Sequence, residues 1–324
     1  MIYRTFGRTG WRLGQIGVGG CQFGGPIQLD GHPDGWTGIT DAESQAIIRR
    51  AVELDANFFD TADMYGWGHS EEILGSTLKA MGARDRVYLA TKVGFWHDDA
   101  GRRTFNESYD YVIRACEDSL RRLQTDYLDL YQCHLWRTEQ WAEFLDAFET
   151  LQTQGKIRFF GVSTNDFDMV QRFDERKKLA SVQADYNLLD RRAEKEILPY
   201  CRSRGIAFIA RKPLAMGKLG GEMIKSTRFD ADDLRSQWLE PEQREAFQRD
   251  LDAVERLKPV AREASVLLAQ LALKFVLTHV AVSVAIPGAK TPAQLERNIA
   301  VNVLPALTQV DLAAIERALS GGAG

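Results

Sequence analysis

Short apolar runs alternate with amphipathic segments along almost the whole chain. Eight of these runs have the length of a strand, and most are followed by a stretch whose apolar residues recur at helical spacing. Within residues 106–123, for example, Val112, Cys116 and Leu123 fall on one helical face. The strands are predicted at residues 15–19, 57–59, 87–93, 128–133, 157–162, 182–185, 206–210 and 280–286. Alternation of this kind is typical of a mostly parallel sheet covered by helices.

Four further segments complete the predicted elements. Residues 2–13 hold two short apolar stretches around a Gly-Arg-Thr-Gly turn, which indicates a β-hairpin before the first strand of the sheet. Residues 218–249 are polar and interrupted, and we expect a lid or binding loop there. Residues 251–278 predict one long helix or two helices that meet around Pro259, and residues 307–319 predict a final helix.

Eight strands that alternate with helices fit two architectures, a closed barrel and an open doubly wound sheet. The chain has 324 residues. A prior of about 150 residues per domain would suggest two domains, but α/β barrels often run longer as one. No linker, repeat period or low-complexity segment divides the sequence, so we predict a single domain over residues 1–324.

Composition and charge exclude several kinds of partner. Hydrophobic residues make up 44% of the chain, and the net charge is -4 with acids and bases mixed along the sequence. Nucleic-acid or anionic-membrane binding would need a concentrated basic face, so we expect neither. The N-terminus has no apolar signal segment, and no apolar run approaches the roughly 18 residues of a membrane helix. The four cysteines match no zinc or redox spacing, and we predict a cytoplasmic protein without a metal.

Polar residues stand at or just after seven consecutive predicted strands. Any one of them is a weak signal, but in a barrel the carboxyl ends of all the strands meet at one rim, where barrel enzymes keep their active sites. We therefore predict a (β/α)8 TIM barrel with an N-terminal β-hairpin and a C-terminal extra helix. These strand-end residues are Asp60, Lys92, His134, Ser163, Asn165, Gln183, Tyr186, Arg211, Lys212 and residues 287–290.

Four side chains could cooperate in protonating a carbonyl oxygen. A tyrosine such as Tyr65 can supply the proton, although its reference pKa is about 10. A nearby lysine, Lys92, would stabilise the phenolate and lower that pKa, and Asp60 would hold the lysine charged. His134 could donate a hydrogen bond to the substrate oxygen. Taken one at a time each also fits a structural role, and only the combination indicates catalysis.

Six separated motifs carry a resemblance to a known family, and they occur in the family's order. The first is Phe59-Asp-Thr-Ala-Asp-Met-Tyr65-Gly followed by Gly68-His-Ser-Glu71. The others are Thr91-Lys-Val93, Asp126 to His134, Gly155 to Ser163, Gln183-Ala-Asp-Tyr-Asn187, and Ile286-Pro-Gly-Ala-Lys290 with Gln294 and Asn298. Over roughly residues 1–305 the chain resembles the aldo-keto reductase superfamily.

That resemblance implies a catalytic tetrad of Asp60, Tyr65, Lys92 and His134. It implies hydride transfer from a nicotinamide to an aldehyde, ketone or sugar carbonyl, without a metal. Tyr186 would stack on the nicotinamide ring. The resemblance also implies cofactor contacts from Ser163, Asn165, Gln183, Arg211, Lys212, Leu214, Gly217, Leu219, Gly288, Lys290, Gln294 and Asn298, of which Lys290 is the candidate for the adenosine 2'-phosphate.

Two positions depart from the family's pattern, and both add positive charge. Lys212 stands where a serine is common, and Arg297 where an acidic residue is common. We therefore expect NADP(H) to be favoured over NAD(H). Four aromatic residues in rim loops either line the substrate pocket or belong to the core: Phe23, Trp67, Trp96 and Trp136.

Other functions remain open from the sequence. The protein could be a non-catalytic, NADPH-binding regulatory subunit, or a sugar or alcohol dehydrogenase working in the oxidative direction. A barrel isomerase or lyase that uses Lys92 as a Schiff base would need no nicotinamide at all. The oligomeric state and the physiological substrate are not predicted.

Overall fold

The computed structural model describes residues 1–98 and 100–321. Its strands are β1 Tyr3–Thr5, β2 Arg12–Gly14, β3 Val18–Gly19, β4 Gln28–Leu29, β5 His32–Pro33, β6 Phe58–Asp60, β7 Tyr88–Val93, β8 Phe95–His97, β9 Arg103–Phe105, β10 Leu128–Cys133, β11 Ile157–Ser163, β12 Ser181–Asp185, β13 Ala207–Arg211 and β14 Val282–Ala285. Its α-helices are α1 Asp41–Glu53, α2 His69–Ala80, α3 Tyr109–Leu123, α4 Trp141–Thr153, α5 Phe167–Phe173, α6 Ile197–Arg204, α7 Pro241–Glu263, α8 Leu268–Thr278, α9 Pro292–Ile299 and α10 Gln309–Leu319.

Eight parallel strands form the central sheet, in the order β14-β13-β12-β11-β10-β7-β6-β3. Its two edges meet just before β3, where Ile16 forms a parallel bridge to Ala285. The Gly17 amide donates to the Ala285 carbonyl at 2.9 Å across that junction. The sheet therefore curls into the predicted (β/α)8 barrel, and α10 supplies the predicted extra helix.

Alternation along the strands explains why the barrel interior is apolar at one end and polar at the other. Successive side chains of a strand point to opposite faces, so residues two apart share a face. Phe58 and Leu130 belong to an interior cluster near the amino ends of their strands. Two residues further along the same faces stand Asp60 and Gln132, both buried. The polar side chains thus collect at the carboxyl ends.

The predicted N-terminal hairpin is present and closes the amino end of the barrel. Strands β1 and β2 pair antiparallel, with Tyr3 opposite Gly14. Phe6 and Leu13 are fully buried in the same interior cluster as Phe58, and the rings of Phe6 and Phe58 are 5.7 Å apart. Burying such side chains contributes about 2 kcal/mol each relative to exposure.

The helices near the C-terminus differ from the prediction in two ways. Two helices are present, but Pro259 lies inside α7, and the break falls after Glu263, where Ser265 has a φ of 55°. In addition, α7 begins at Pro241, inside the segment predicted to be irregular up to residue 249. Proline suits the first position of a helix, where its missing N–H has no partner to lose.

Two short hairpins at the carboxyl-end rim were not predicted. One pairs β4 with β5, and the other pairs β8 with β9. Their strands are only two or three residues long, so they carry no readable alternation.

Within the described part of the chain, none of the helices has the length and apolar character needed to cross a membrane.

Candidate active site

A buried lysine organises the centre of the candidate site. Lys92, on β7, has no exposed surface, and its ammonium nitrogen donates to Asp60 Oδ2 at 2.6 Å. It also donates to the Thr61 carbonyl at 2.8 Å and to the Tyr65 hydroxyl at 3.3 Å. An ammonium has three donors, and all three are engaged. The predicted contacts among Asp60, Lys92 and Tyr65 are therefore all present.

Tyr65 is held in place by the backbone of the loop between β6 and α2. Its carbonyl accepts a hydrogen bond from the Ser70 amide at 3.2 Å, which ties the loop to the start of α2. The next residue, Gly66, has a φ of 63°, and a Cβ there would lie 2.1 Å from the Gly24 carbonyl oxygen. Only glycine fits such an approach, so two loops close tightly beneath the tyrosine.

His134 completes the tetrad at the mouth of the barrel. The Tyr65 and His134 rings are 5.9 Å apart and nearly perpendicular. Burial lowers the pKa of His134 well below its usual value, and the charges of Lys92 and Arg211 lower it further. The imidazole is therefore neutral near pH 7. Its Nδ1 is buried without a hydrogen-bond partner among the described residues.

The pKa of Tyr65 is raised well above its usual value, not lowered as the sequence led us to expect. Burial is the largest cause, the Cys21 thiol and Asp60 add to it, and Arg211 opposes it. Loss of hydration disfavours the phenolate more than the surrounding cations stabilise it. The phenol consequently stays protonated near neutrality, which is the state that a proton donor requires.

The second oxygen of Asp60 is held by two amides. Gln183 Nε2 donates to Asp60 Oδ1 at 2.8 Å, and Gln132 Nε2 donates to the same oxygen at 3.1 Å. Gln132 was missed in the sequence, although it shares the inward face of β10 with Leu130. Both carboxylate oxygens are thus satisfied, as a buried charge requires.

Asp185, at the end of β12, is another residue that the sequence analysis missed. It accepts hydrogen bonds from Arg211 Nε at 2.7 Å, from Lys212 Nζ at 3.2 Å and from Asn165 Nδ2 at 3.1 Å. Burial works against its ionisation, but Arg211 and Lys212 prevail and lower the pKa of Asp185 to about 2. Its position two residues after Gln183 was the available signal.

A cavity of about 740 Å³ opens next to the tetrad. Tyr65, Asp60 and His134 line it, while Lys92 lies behind them. It also contains most of the predicted cofactor residues and one predicted substrate residue: Gln183, Arg211, Lys212, Leu214, Gly217, Gly288, Lys290, Gln294, Asn298 and Trp136. Its size lies in the range of about 300–1,000 Å³ typical of ligand sites.

Other predicted residues lie outside the cavity lining. Ser163 and Asn165 contact residues that line the cavity: the Arg211 guanidinium donates to both, to Ser163 Oγ at 3.1 Å, and Ser163 Oγ donates to Gln183 Oε1 at 3.4 Å. Leu219 is fully buried and Phe23 nearly so, both in the core. The last two, Trp67 and Trp96, pack with each other and with His97.

The structure does not bring Tyr186 to the position predicted for stacking on a nicotinamide. Its ring packs 6.0 Å from Phe275, and its hydroxyl donates to Glu194 at 2.8 Å. Tyr186 directly follows Asp185, so the two side chains leave the strand end in different directions. Arg211, which Asp185 holds, lines the cavity instead.

The far end of the cavity is assembled from three loops and carries several cations. Lys290 Nζ donates to the Thr37 carbonyl at 2.6 Å and lies 5.3 Å from the centre of the Trp36 ring. Arg235 stacks on the same ring at 4.6 Å. Burial lowers the pKa of Lys290, with Arg235 adding to the effect. Cations in a partly enclosed site bind phosphate oxygens well.

The loop after β13 brings backbone to the same cavity. Ala215, Met216 and Gly217 all have positive φ values, 47°, 56° and 96°. This left-handed stretch turns the chain sharply beside Lys212 and Leu214, which also line the cavity. The donors, the cations and the size of the cavity therefore fit a nicotinamide dinucleotide.

Fold and site together define a class, a barrel oxidoreductase that uses a nicotinamide cofactor on carbonyl compounds. The model of the aldo/keto reductase family matches residues 15–320. This chain belongs to the aldo-keto reductase family.

Relatives and solved structures agree with that assignment. The aldo-keto reductase YhdN of Bacillus subtilis is 35% identical over 305 residues, 91% of this chain and 87% of the relative. The NADH-specific methylglyoxal reductase of Escherichia coli is 29% identical over 311 residues, 91% of each chain. The glycerol dehydrogenase AKR11B4 of Gluconobacter oxydans has a TM-score of 0.84 at 29% identity, covering 99% of this chain and 96% of that one. A Klebsiella pneumoniae aldo/keto reductase in complex with NADP and acetate has a TM-score of 0.72 at 29% identity, covering 98% and 94%.

Proposed function

We propose that this protein reduces a small aldehyde, ketone or sugar carbonyl with NADPH, and that Tyr65 is the proton donor. The observation that carries the proposal is the single ammonium of Lys92, which touches both the Asp60 carboxylate and the Tyr65 hydroxyl. The same Tyr65 hydroxyl belongs to a residue that lines the cavity, where a substrate carbonyl can reach it.

The residues divide the reaction between them. A bound nicotinamide supplies the hydride that adds to the carbonyl carbon. The substrate oxygen accepts hydrogen bonds from Tyr65 and from the neutral imidazole of His134. As charge builds on that oxygen, Tyr65 transfers its proton, and the Lys92 ammonium at 3.3 Å stabilises the phenolate that remains. Asp60 keeps the lysine charged and in position.

We further propose that NADP(H) is favoured over NAD(H). Lys290 lies in the cavity with its ammonium half-buried, and Arg297 and Arg235 line the same end. A 2'-phosphate would find these three cations there, together with the buried Asp233 carboxylate, which pairs with Arg235 and lies 3.8 Å from the Lys290 ammonium. The relatives include both an NADP complex and an NADH-specific enzyme, so family membership leaves the choice to these side chains.

Oxidation of an alcohol is the reverse of the same reaction and would use the same groups. The structural similarity to a glycerol dehydrogenase favours it as the second candidate direction. Lys92 is a poor candidate for Schiff-base chemistry, because its nitrogen has no exposed surface and is fully hydrogen-bonded. Residues 1–324 as one domain, and a cytoplasmic location, stay predictions.

Tyr65→Phe is the direct test. Removing the hydroxyl leaves the lysine, the aspartate and the cavity in place, so we expect NADPH binding to persist. The turnover of a reactive aldehyde such as methylglyoxal should fall about 10²- to 10⁴-fold, the range for loss of a general acid. Aldehyde-dependent loss of NADPH absorbance measures turnover, and quenching of protein fluorescence measures binding.

Tyr131→Phe is the matched control. Tyr131 is fully buried in the core, and its hydroxyl has no hydrogen-bond partner among the described residues. Loss of the Tyr131 hydroxyl should leave turnover unchanged. If Tyr65→Phe folds, binds NADPH and turns over as fast as wild type, the proposed acid is wrong.

A further inference from the structure

The two unpredicted hairpins are joined by one arginine at the rim of the cavity. Arg103, the first residue of β9, donates from its backbone amide to Asp30 Oδ1 at 2.6 Å and from Nε to Asp30 Oδ2 at 3.3 Å. Its Nη2 donates to Asp34 Oδ2 at 3.1 Å. All three residues line the cavity, and we call them the Arg103 cluster.

The Arg103 cluster lies one aromatic ring beyond the carbonyl-binding end of the site. The guanidinium carbon is 5.4 Å from the centre of the Phe95 ring and 5.0 Å from that of Trp136. The Phe95 ring is in turn 5.3 Å from the ring of His134. Arg103 is also among the cations that lower the pKa of His134. Because Phe95 lines the cavity and contacts both His134 and Arg103, a substrate chain that extends from His134 along this ring would meet the cluster.

Hydrogen-bonding chemistry decides which chain fits there. A guanidinium only donates hydrogen bonds, and carboxylates only accept them. A hydroxyl group does both, so it can bind between Arg103 and the two aspartates. A carboxylate on the substrate would face two carboxylates against one cation. An alkyl chain would displace water from charged groups and return no hydrogen bonds to them.

The aromatic side chains complete the fit. Trp136 is 59% exposed although it lines the cavity, and Arg103 stacks on it. An open indole face accommodates the C–H groups of a hydroxylated chain, while the Arg103 cluster binds its hydroxyls.

We propose that Arg103 is a specificity-determining residue of the reaction, and that the substrate carries neutral hydroxyl groups on the chain next to its carbonyl. This inference rests on the proposed reductase function. Asp30 and Asp34 act as positioning residues for the guanidinium and as acceptors for the same hydroxyls.

Three four-carbon aldehydes test the proposal with NADPH: erythrose, butanal and succinic semialdehyde, each corrected for its free-carbonyl fraction. Wild type should show a kcat/KM for erythrose about tenfold or more above those of the other two, as expected for one or two hydrogen bonds to charged groups. Arg103→Met, which keeps an unbranched apolar stem, should lower the erythrose-to-butanal ratio about tenfold, mainly through KM.

The neighbouring arginine provides a matched control. Arg102 lies on the same hairpin loop but points to solvent, 73% exposed, and pairs with Asp98. Arg102→Met should keep the wild-type ratio. Asp34→Asn removes a negative charge with little change of shape, and it should raise kcat/KM for succinic semialdehyde relative to erythrose. An unchanged erythrose-to-butanal ratio in a folded Arg103→Met protein overturns the proposal, as does a wild-type preference for succinic semialdehyde.

A binding measurement separates this proposal from the reductase function itself. Saturation-transfer NMR with erythritol and 1-butanol, each added with NADP⁺, requires no turnover. Contact to erythritol that is present in wild type and Arg102→Met but lost in Arg103→Met supports the Arg103 cluster even if no aldehyde is reduced. Reduction of butanal with equal contact to both alcohols in wild type would instead support the reductase and overturn the specificity.

Discussion

Asp185 is an example of a single carboxylate that organises a functional rim. It holds Arg211 and Lys212 side by side, two cations that would otherwise repel each other at the edge of the cavity. The Asp185 side chain is only 11% exposed and that of Arg211 16%, so the ion pair between them is largely protected from screening by salt. The charges of Arg211 and Lys212 stabilise the Asp185 carboxylate, and they thereby lower its pKa to about 2.

Asp185→Asn should therefore cost stability in a pH-dependent way. A carboxyl group with a depressed folded-state pKa contributes stability above its unfolded pKa of about 3.9, and loses it as the pH falls through the folded value. At pH 6 we expect the variant to be less stable by about 2 kcal/mol. The difference should shrink between pH 4 and pH 2, as urea unfolding at several pH values would measure.

Asp126→Asn is the control, because Asp126 is exposed and belongs to no ion pair among the described residues. It should change unfolding by no more than about 0.5 kcal/mol. A stability deficit of Asp185→Asn that is the same at pH 2 as at pH 6 would rule out the charge pairing as its cause.

At the scale of elements, the packing of α2 against the end of α3 determines how firmly the tyrosine loop is held. Gly75 of α2 faces the end of α3. A Cβ at this position would lie 2.4 Å from the backbone of Leu123. The same contact region holds Glu71 of α2, whose carboxylate accepts a hydrogen bond from Arg122 Nε at 2.6 Å. Close backbone approach and a buried ion pair thus occur together.

Gly75→Ala should destabilise the protein even though alanine favours helices. Overpacking against backbone costs about 1–3 kcal/mol, and the gain in helix propensity offsets about 1 kcal/mol at most. Because the Cβ would lie 2.4 Å from backbone, we expect a cost in the upper part of that range, about 2–3 kcal/mol, and a net loss of about 1–2 kcal/mol in urea unfolding. Lys79→Ala, exposed on the same helix, is the control. A Gly75→Ala protein as stable as wild type would mean that the helices separate without cost.

At the scale of the whole molecule, the proposed cofactor end of the cavity joins residues that are far apart in the chain. The bond from Lys290 to Thr37 spans 253 positions, and Trp36 lies against both Lys290 and Arg235. The loop before α1, the loop after β13 and the loop after β14 therefore meet only in the folded barrel. A ligand bound there stabilises the fold by mass action.

Lys290→Met should change cofactor preference more than stability. At 100 times its dissociation constant, NADPH stabilises the folded state by about 2.7 kcal/mol. Losing a charge-assisted contact to the 2'-phosphate should weaken the binding of NADPH at least about tenfold, which corresponds to about 1.4 kcal/mol. The binding of NADH should be unaffected. Thermal unfolding with each cofactor measures both effects.

Lys225→Met removes an exposed lysine that pairs with Asp252, and serves as the control. Equal losses of NADPH and NADH stabilisation in Lys290→Met would contradict a role specific to the phosphate.

The succession of strands and helices, the N-terminal hairpin, the final helix and the strand-end location of the polar residues were all readable in advance. Period-two alternation and helical spacing are local signals, and a parallel sheet follows from them. Gln132 and Asp185 were missed because an amide and a carboxylate on a strand look the same whether they face a cavity or a helix. Tyr186 was misplaced because its motif carries no information on the direction of the ring.

What the sequence determined by itself was the succession of strands and helices, which depends on patterns a few residues long, and the proposed tetrad, which follows from short motifs in a fixed order along the chain. The tertiary structure decided which groups meet. It brought Gln132 and Gln183 onto one oxygen of Asp60, and it joined two short hairpins through Arg103. It also reversed the expected shift in the pKa of Tyr65. Burial and through-space charge are sums over the surroundings of a residue, and those surroundings exist only after folding.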